Sequence, residues 1–502
     1  MYRHGTHRNK PPIELRLTRP AGTSDFKFTN GHKIGGEYIT PVQSAKTPSK
    51  EVLMYRSRRD FLKSSLTGLA LAAMPQQPPR GGMTLLKGGR VLSIDSKVGD
   101  FDRADVLIDG SKIVMVQPNI RAAAATIDAS NMIVMPGFID THRHAWEAPL
   151  RSILPDGLLS DYTRDITGKA RAIYRPEDAY IGDLVTALGA INAGITTMLD
   201  WSHIGNSPEH TDAAIRGLRE SGIRAVYAFG GGAPGPANQF PQDIRRLRKQ
   251  YFSSENQLLT LAMAAGLNTA DWAVAREVGA HITVHVNGAN QLVPLADSLR
   301  SDLTYVHANN LTEAEWQLVA KTGGNVSVAG PIEMEMGHGI PAIQPALDHG
   351  IRPSLSVDVE TEMPGDFFTQ MRSVFTLQRM QRLARERAGE KNLPPLLTVR
   401  EVVEFATVEG AKDNRIDNKV GSLTPGKDAD IILLRTDQIN VMPVNNAYGG
   451  VVLSMDTSNV DTVLIAGKIV KSQGKLVGVD MNRITRLLHQ SREYLVAKAG
   501  LH

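Results

Sequence analysis

Residues 137–144 read GFIDTHRH, and the run IVMP (133–136) stands directly before them. Two histidines lie two residues apart at the end of an apolar stretch, behind a Pro-Gly pair. Residues two apart on a strand point to the same side. If the stretch is a strand, His142 and His144 face one way together. Whether they are ligands or core residues depends on what stands at the ends of the other apolar runs.

Seven more such runs follow, separated by helical stretches: 194–203, 222–230, 259–266, 281–288, 303–310, 324–331 and 352–359. Near-continuous apolar strands with intervening helices read as parallel strands buried on both faces. Eight of them point to a (β/α)₈ barrel of TIM type, which carries its chemistry at the C-terminal strand ends. Polar residues recur at those ends. The first run ends in His142 and His144, the second in His203, and the fifth near His285. The sixth carries His307 and the eighth Asp358. A core histidine has no reason to recur at the same end of successive strands, so the set reads as a metal or catalytic centre.

The texture differs outside the barrel. Segments 83–94, 104–116 and 125–135 alternate in period two between Gly- and Asn-rich turns. The same pattern returns at 429–434 and 460–476. The α/β chain is therefore divided into a β-sandwich (84–135 with 418–480), a barrel (136–417) and a C-terminal helix (481–502).

The totals exclude several classes. There is no cysteine among 502 residues, so disulfides, thiolate metal sites and a cysteine nucleophile are out. Aromatic residues make up 5%, and the formal charge of +4 traces to residues 1–53, which hold nine Lys/Arg against four acids. The body lacks the basic face and stacking platforms of a nucleic-acid binder. GSLTPGKD (421–428) imitates a phosphate loop but ends in Asp428 where a hydroxyl is needed. GGGAPG (230–235) imitates a dinucleotide loop but runs into Pro234 and PANQFP.

Ahead of the fold, SRRDFLK (57–63) and the short apolar run SSLTGLALAAMP (64–75) resemble a twin-arginine export signal. The run is too short to span a membrane, so no stable insertion is expected. Residues 54–80 are assigned to this signal and its linker, with cleavage after Ala70-Leu71-Ala72 and translation starting at Met54. Residues 1–53, polar and without periodicity, then read as a disordered or mis-annotated leader. This reading implies the twin-arginine machinery as a partner and a periplasmic or extracellular location.

GFIDTHRH, the later order His…His…Asp, and GSLTPGKDADIILL (421–434) resemble the amidohydrolase superfamily. The branch is that of cytosine deaminases, aminohydrolases of purine-like bases and triazine chlorohydrolases. The resemblance covers roughly residues 84–475. It implies one divalent metal ion, Zn²⁺ before Fe²⁺, held by His142, His144, His285 and Asp358. The two-metal members need a Lys at the end of the fourth strand, where this chain has Ala264-Ala265-Gly266, so a single ion is expected. An ion held in this way lowers the pKa of its water from about 15.7 toward about 7. The resemblance makes Asp358 and His307 catalytic: Asp358 moves the proton and His307 stabilises developing charge. The implied reaction is hydrolysis of a non-peptide C–N bond in a small nitrogen heterocycle.

The chain departs from the branch at one place. Its deaminases carry a Glu three residues after the fifth-strand His, and here that residue is Gly288. The loop AGPIEMEMGHG (329–339) offers Glu333, Glu335 and His338 as substitutes. Trp146, Glu147, His203 and Glu360 are further residues expected near the mouth, with Trp146 either stacking a planar ring or serving as core. The missing Glu keeps cyclic-amide or imidazolone ring opening and dechlorination open as alternatives. A non-catalytic binding protein on this fold would be expected to have lost ligands, and all five residues are present. The basic segment 367–391 reads as a solvated helix over the barrel or as a dimer contact, which leaves a homo-oligomer open.

Overall fold

The computed structural model describes residues 82–501. The leader, SRRDFLK and the cleavage region lie outside the described residues. Five strands come first: β1 (Met83–Val91), β2 (Phe101–Asp109), β3 (Lys112–Gln117), β4 (Ala125–Asp128) and β5 (Met132–Pro136). Eight more follow: β6 (Phe138–Arg143), β7 (Ile195–Gly205), β8 (Arg224–Gly231), β9 (Leu259–Ala265), β10 (His281–Val286), β11 (Leu303–His307), β12 (Asn325–Val328) and β13 (Ser354–Leu355). The last four are β14 (Ile431–Arg435), β15 (Val460–Ile465), β16 (Lys468–Ser472) and β17 (Lys475–Leu476).

Strands β6 to β13 form one parallel sheet in chain order, one from each apolar run. The ring closes where β6 meets the segment after β13. The Asp358 amide donates to the His142 carbonyl at 2.9 Å, and the His144 amide donates to the Asp358 carbonyl at 2.8 Å. Hydroxyls tie the same seam. Thr141 Oγ1 lies 2.7 Å from Ser327 Oγ and 2.8 Å from Ser354 Oγ. The helix Phe367–Arg387 covers the outside, with Phe367 and Phe368 packed on Phe138 at ring distances of 5.7 and 5.4 Å.

The flanking segments form one mixed sheet in the order β17-β16-β15-β14-β5-β1-β2-β3, with β4 paired to β1. Its period-two pattern has a direct meaning, because alternate side chains face opposite cores. Val134, Ile431 and Leu433 pack with Val106 and Ile108 inside the sheet's own core. Ile133, Met135, Ile432 and Leu434 pack into the large core shared with the barrel helices. Between β5 and β6 the chain passes from sheet to barrel at Gly137. A Cβ there would lie 2.2 Å from the Thr196 side chain, so no larger residue fits without movement.

The GKDAD segment joins the two bodies electrostatically. Arg224, at the start of β8 and 4% exposed, donates through Nε to Asp430 at 2.8 Å and through Nη2 to Asp428 at 2.9 Å. Its acids hold a guanidinium, and strand β14 follows rather than a helix. GGGAPG likewise leaves β8 as a loop, with the Ala233 amide bound by Asn206 Oδ1 at 2.7 Å. The helix Met481–Ala499 closes the chain; Leu495 and Leu501 pack against Trp146, Leu150, Tyr162 and Tyr174.

Removing one partner of a buried ion pair leaves the other charge uncompensated. Asp430→Ala is expected to cost about 3–5 kcal/mol by that argument. Asp428→Ala is expected to cost about 1 kcal/mol or less, since Asp428 is more exposed and also meets the half-exposed Lys112. Denaturant unfolding of the two variants side by side measures the difference.

Candidate metal centre and active site

Four donors converge at the mouth of the barrel. His142 and His144 come from the end of β6, His285 from β10, and Asp358 from the segment that closes the ring. Their ligand atoms lie within 4.8 Å of one another. His142 Nε2 is 3.0 Å from Asp358 Oδ1 and 3.2 Å from His285 Nε2; His144 Nε2 is 3.4 Å from Asp358 Oδ1. A tetrahedral ion bonded at 2.0–2.1 Å spaces its ligands about 3.3 Å apart. The donor set fits such an ion.

The protonation states suit it as well. Burial holds His142, His144 and His285 well below their ordinary pKa, each reinforced by neighbouring imidazoles. They are neutral ligands. Burial raises Asp358, but the facing imidazoles, His307 first, outweigh it and leave the carboxyl below its usual value. The Trp201 carbonyl lies 2.9 Å from His144 Nδ1, which fixes that proton there and frees Nε2 for the ion.

His307 stands beside the donors with Nε2 3.7 Å from Asp358 Oδ2. Its Nδ1 lies 3.1 Å from Glu333 Oε1, and Glu333 also accepts from the Ala329 amide at 2.8 Å. Burial lowers His307, yet the Glu333 hydrogen bond and the charges of Asp358 and Glu333 more than offset it, so its pKa is raised. His307, Ala308 and Asp358 have φ of +68°, +54° and +72°. Left-handed backbone at a non-glycine residue costs of order 1–3 kcal/mol and collects at functional sites.

A cavity of about 430 Å³ opens over this centre. His203 and His338 line it; Trp146, Glu147, Glu333 and Glu335 do not. Trp146 is fully buried, packed on Tyr174 and bonded to His203, so it is core. Glu147 is buried under the Tyr162 hydroxyl, which donates at 2.6 Å. Glu333 sits behind His307 instead of meeting a substrate. Glu360 is spent on Arg143 and Arg151. Arg143, between the two histidines, is fully buried; its Nε donates to Asp140 at 2.7 Å. Sequence reasoning missed it, along with Trp201, whose ring lies 4.3 Å from His285 on the cavity wall. The DWSH spacing held the signal for Trp201, which stands two residues before His203. Gly288 has ordinary room beside Gln291, so packing does not exclude a larger residue there.

The sequence model described as Amidohydrolase family matches residues 133–470. The chain belongs to the amidohydrolase family. This amidohydrolase is 23% identical over 428 residues to the 5-methylthioadenosine/S-adenosylhomocysteine deaminase of Pyrococcus horikoshii, covering 80% of this chain and 97% of that one. It is 24% identical over 444 residues to the 5'-deoxyadenosine deaminase of Methanosarcina barkeri, covering 83% and 99%. Among solved structures, a zinc-bound adenosine deaminase from Xanthomonas campestris superposes with TM-score 0.71 at 19% identity, over 84% of this chain and all of that one. Zinc-bound atrazine chlorohydrolase of Arthrobacter aurescens superposes with TM-score 0.69 at 22% identity, over 82% and 100%. As an amidohydrolase, the protein is an enzyme that hydrolyses carbon–nitrogen bonds, and its His/Asp cluster is a site for a divalent metal ion.

Glu333→Gln keeps an acceptor for His307 Nδ1 but removes the charge. Outer-shell partners of this kind are worth about 10–100-fold in activity. The variant is expected to lose kcat on that scale with a smaller change in KM, as steady-state kinetics will show.

Proposed function

We propose that the enzyme deaminates a small amino-substituted nitrogen heterocycle with one bound zinc ion. The observation that carries this reading is the convergence of three neutral imidazoles and Asp358 beneath a cavity that also presents His307. The deaminase relatives and the zinc in two structural neighbours support the reaction and the metal.

A divalent ion in this site supplies Lewis-acid activation of water. The chain's own groups do the rest. Asp358, an ionised carboxylate, takes the water proton and delivers it to the departing nitrogen. His307, braced by Glu333 and beside Asp358, is the group that would stabilise the charge developing at the attacked carbon. No carboxylate other than Asp358 lines the cavity among the described residues, and position 288 supplies none. His338, whose two ring nitrogens lack hydrogen-bond partners among the described residues, is assigned the hydrogen bond to the ring nitrogen. Trp201 offers a planar surface on the wall. The same reading places the mature enzyme outside the cytoplasm on the strength of SRRDFLK; cell fractionation tests that.

Gly288 favours a second reading, ring opening of a cyclic amide or imidazolone, because that cleavage does without an acid aimed at an aromatic ring nitrogen. Ammonia release from aminated purines, pterins, pyrimidines and triazines separates the two. Ammonia from any of them supports deamination. None from folded, metal-loaded protein turns the assignment to ring opening. Asp358→Asn is expected to lower kcat by about 10²–10⁴, the usual range for a positioned proton-transfer group. Chelation is expected to abolish turnover and lower Tm, with one equivalent of Zn²⁺ restoring both in the wild type but not in His142→Ala.

A further inference from the structure

The roof of the cavity is a single segment after β6. Helical residues Leu159–Tyr162 pass into a π-helix, Thr163–Ala170, and then a last turn, Arg171–Ile173. Leu159, Tyr162, Thr163, Thr167 and Arg171 all line the cavity. Most of the polar donors on this roof are committed. Thr163 Oγ1 donates to the Leu159 carbonyl at 2.7 Å and Thr167 Oγ1 to the Thr163 carbonyl at 2.9 Å. The Tyr162 hydroxyl donates to Glu147.

Arg171 is the exception. Its guanidinium has no acidic partner among the described residues, and its Nε is buried without a hydrogen bond. The buried arginines Arg224 and Arg143, by contrast, each hold two carboxylates. Glu147 acts on Arg171 only at a distance and makes no ion-pair contact with it; its carboxylate accepts from the Tyr162 hydroxyl instead. The charge of Arg171 is felt across the cavity by His203, whose pKa it helps depress. His203 in turn lies 4.2 Å, ring to ring, from His144. The guanidinium thus shares the cavity lining with His203, which packs on His144 and feels the charge of Arg171. An unpaired, partly buried guanidinium in a binding cavity is a ready partner for an anion.

We propose that Arg171 is a specificity-determining residue that binds an anionic substituent, carboxylate or phosphate, carried by the heterocycle. This rests on the deamination reading for the identity of the ring, but not for the anion. The substrate class becomes an amino-heterocyclic acid: the ring lies over the metal centre against Trp201, and its acidic arm points at the roof. A cavity of about 430 Å³ holds a bicyclic ring with one such arm.

Two matched pairs test it on full-length, zinc-loaded protein: pterin against pterin-6-carboxylate, and adenosine against adenosine 5′-monophosphate. Calorimetry gives Kd for each member whether or not turnover occurs, and ammonia release gives kcat/KM. The wild type is expected to prefer the anionic member of at least one pair, and the pair that shows it distinguishes carboxylate from phosphate. Arg171→Gln is expected to cut that preference about tenfold or more, the loss of one charge-assisted contact. Arg171→Lys, which keeps the charge, is expected to retain part of it. The same pattern in Kd without ammonia supports the role of Arg171 and counts against deamination. Ammonia release with no preference in either pair, or an Arg171→Gln variant that weakens both members equally, overturns it.

Discussion

The structure depends on a backbone seam two hydrogen bonds wide. Asp358 is bonded through its amide to His142 and through its carbonyl to His144. This closes a barrel whose last strand is only two residues long. It also drives the Asp358 carboxylate into the imidazoles of the first strand. Barrel closure and assembly of the metal site are one event, and the left-handed backbone at Asp358 is held by the bonds that make it. The buried Asp140–Arg143–Glu360 set lies directly alongside. Burial pushes Asp140 up to about 6, and Arg143 only partly offsets it. Arg143 therefore links the first strand to the segment after Asp358 by charge where the seam links them by backbone.

Much of the frame was readable in the residues. Eight apolar runs became eight parallel strands because a strand buried on both faces has to be apolar throughout. The His and Asp residues were readable because strand ends in this architecture share one rim, so order along the chain becomes proximity in space. The alternating segments at both ends carried the second sheet in the same way.

What was not readable depends on the path of loops and short helices. Trp146 stood next to the ligands in sequence, yet a single turn of helix carried it into the core, while Trp201, far along the chain, reached the cavity wall. Glu333 looked like a substrate residue because it lay in a loop-like stretch. A helical turn at Gly330–Glu335 instead points it back under His307. Arg171 lies 27 residues past His144, on a segment whose π-helical winding has no simple signature in residue spacing. Charge pairs such as Arg224 with Asp430 join positions about 200 residues apart, a distance that neither periodicity nor local propensity can bridge.

The sheet that flanks the barrel has a consequence for the order in which the chain is made. Strand β5 pairs along its length with β14, some 300 residues later. During synthesis, Ile133 to Met135 therefore wait without a neighbour on that edge while the whole barrel is translated. An open apolar edge is a template for wrong pairing. The risk ends only when the GKDAD segment leaves the ribosome and delivers β14. A nascent chain can thus hold all four metal ligands and still be unable to bury its own edge, so the ribosome sets the period of greatest exposure to misassembly.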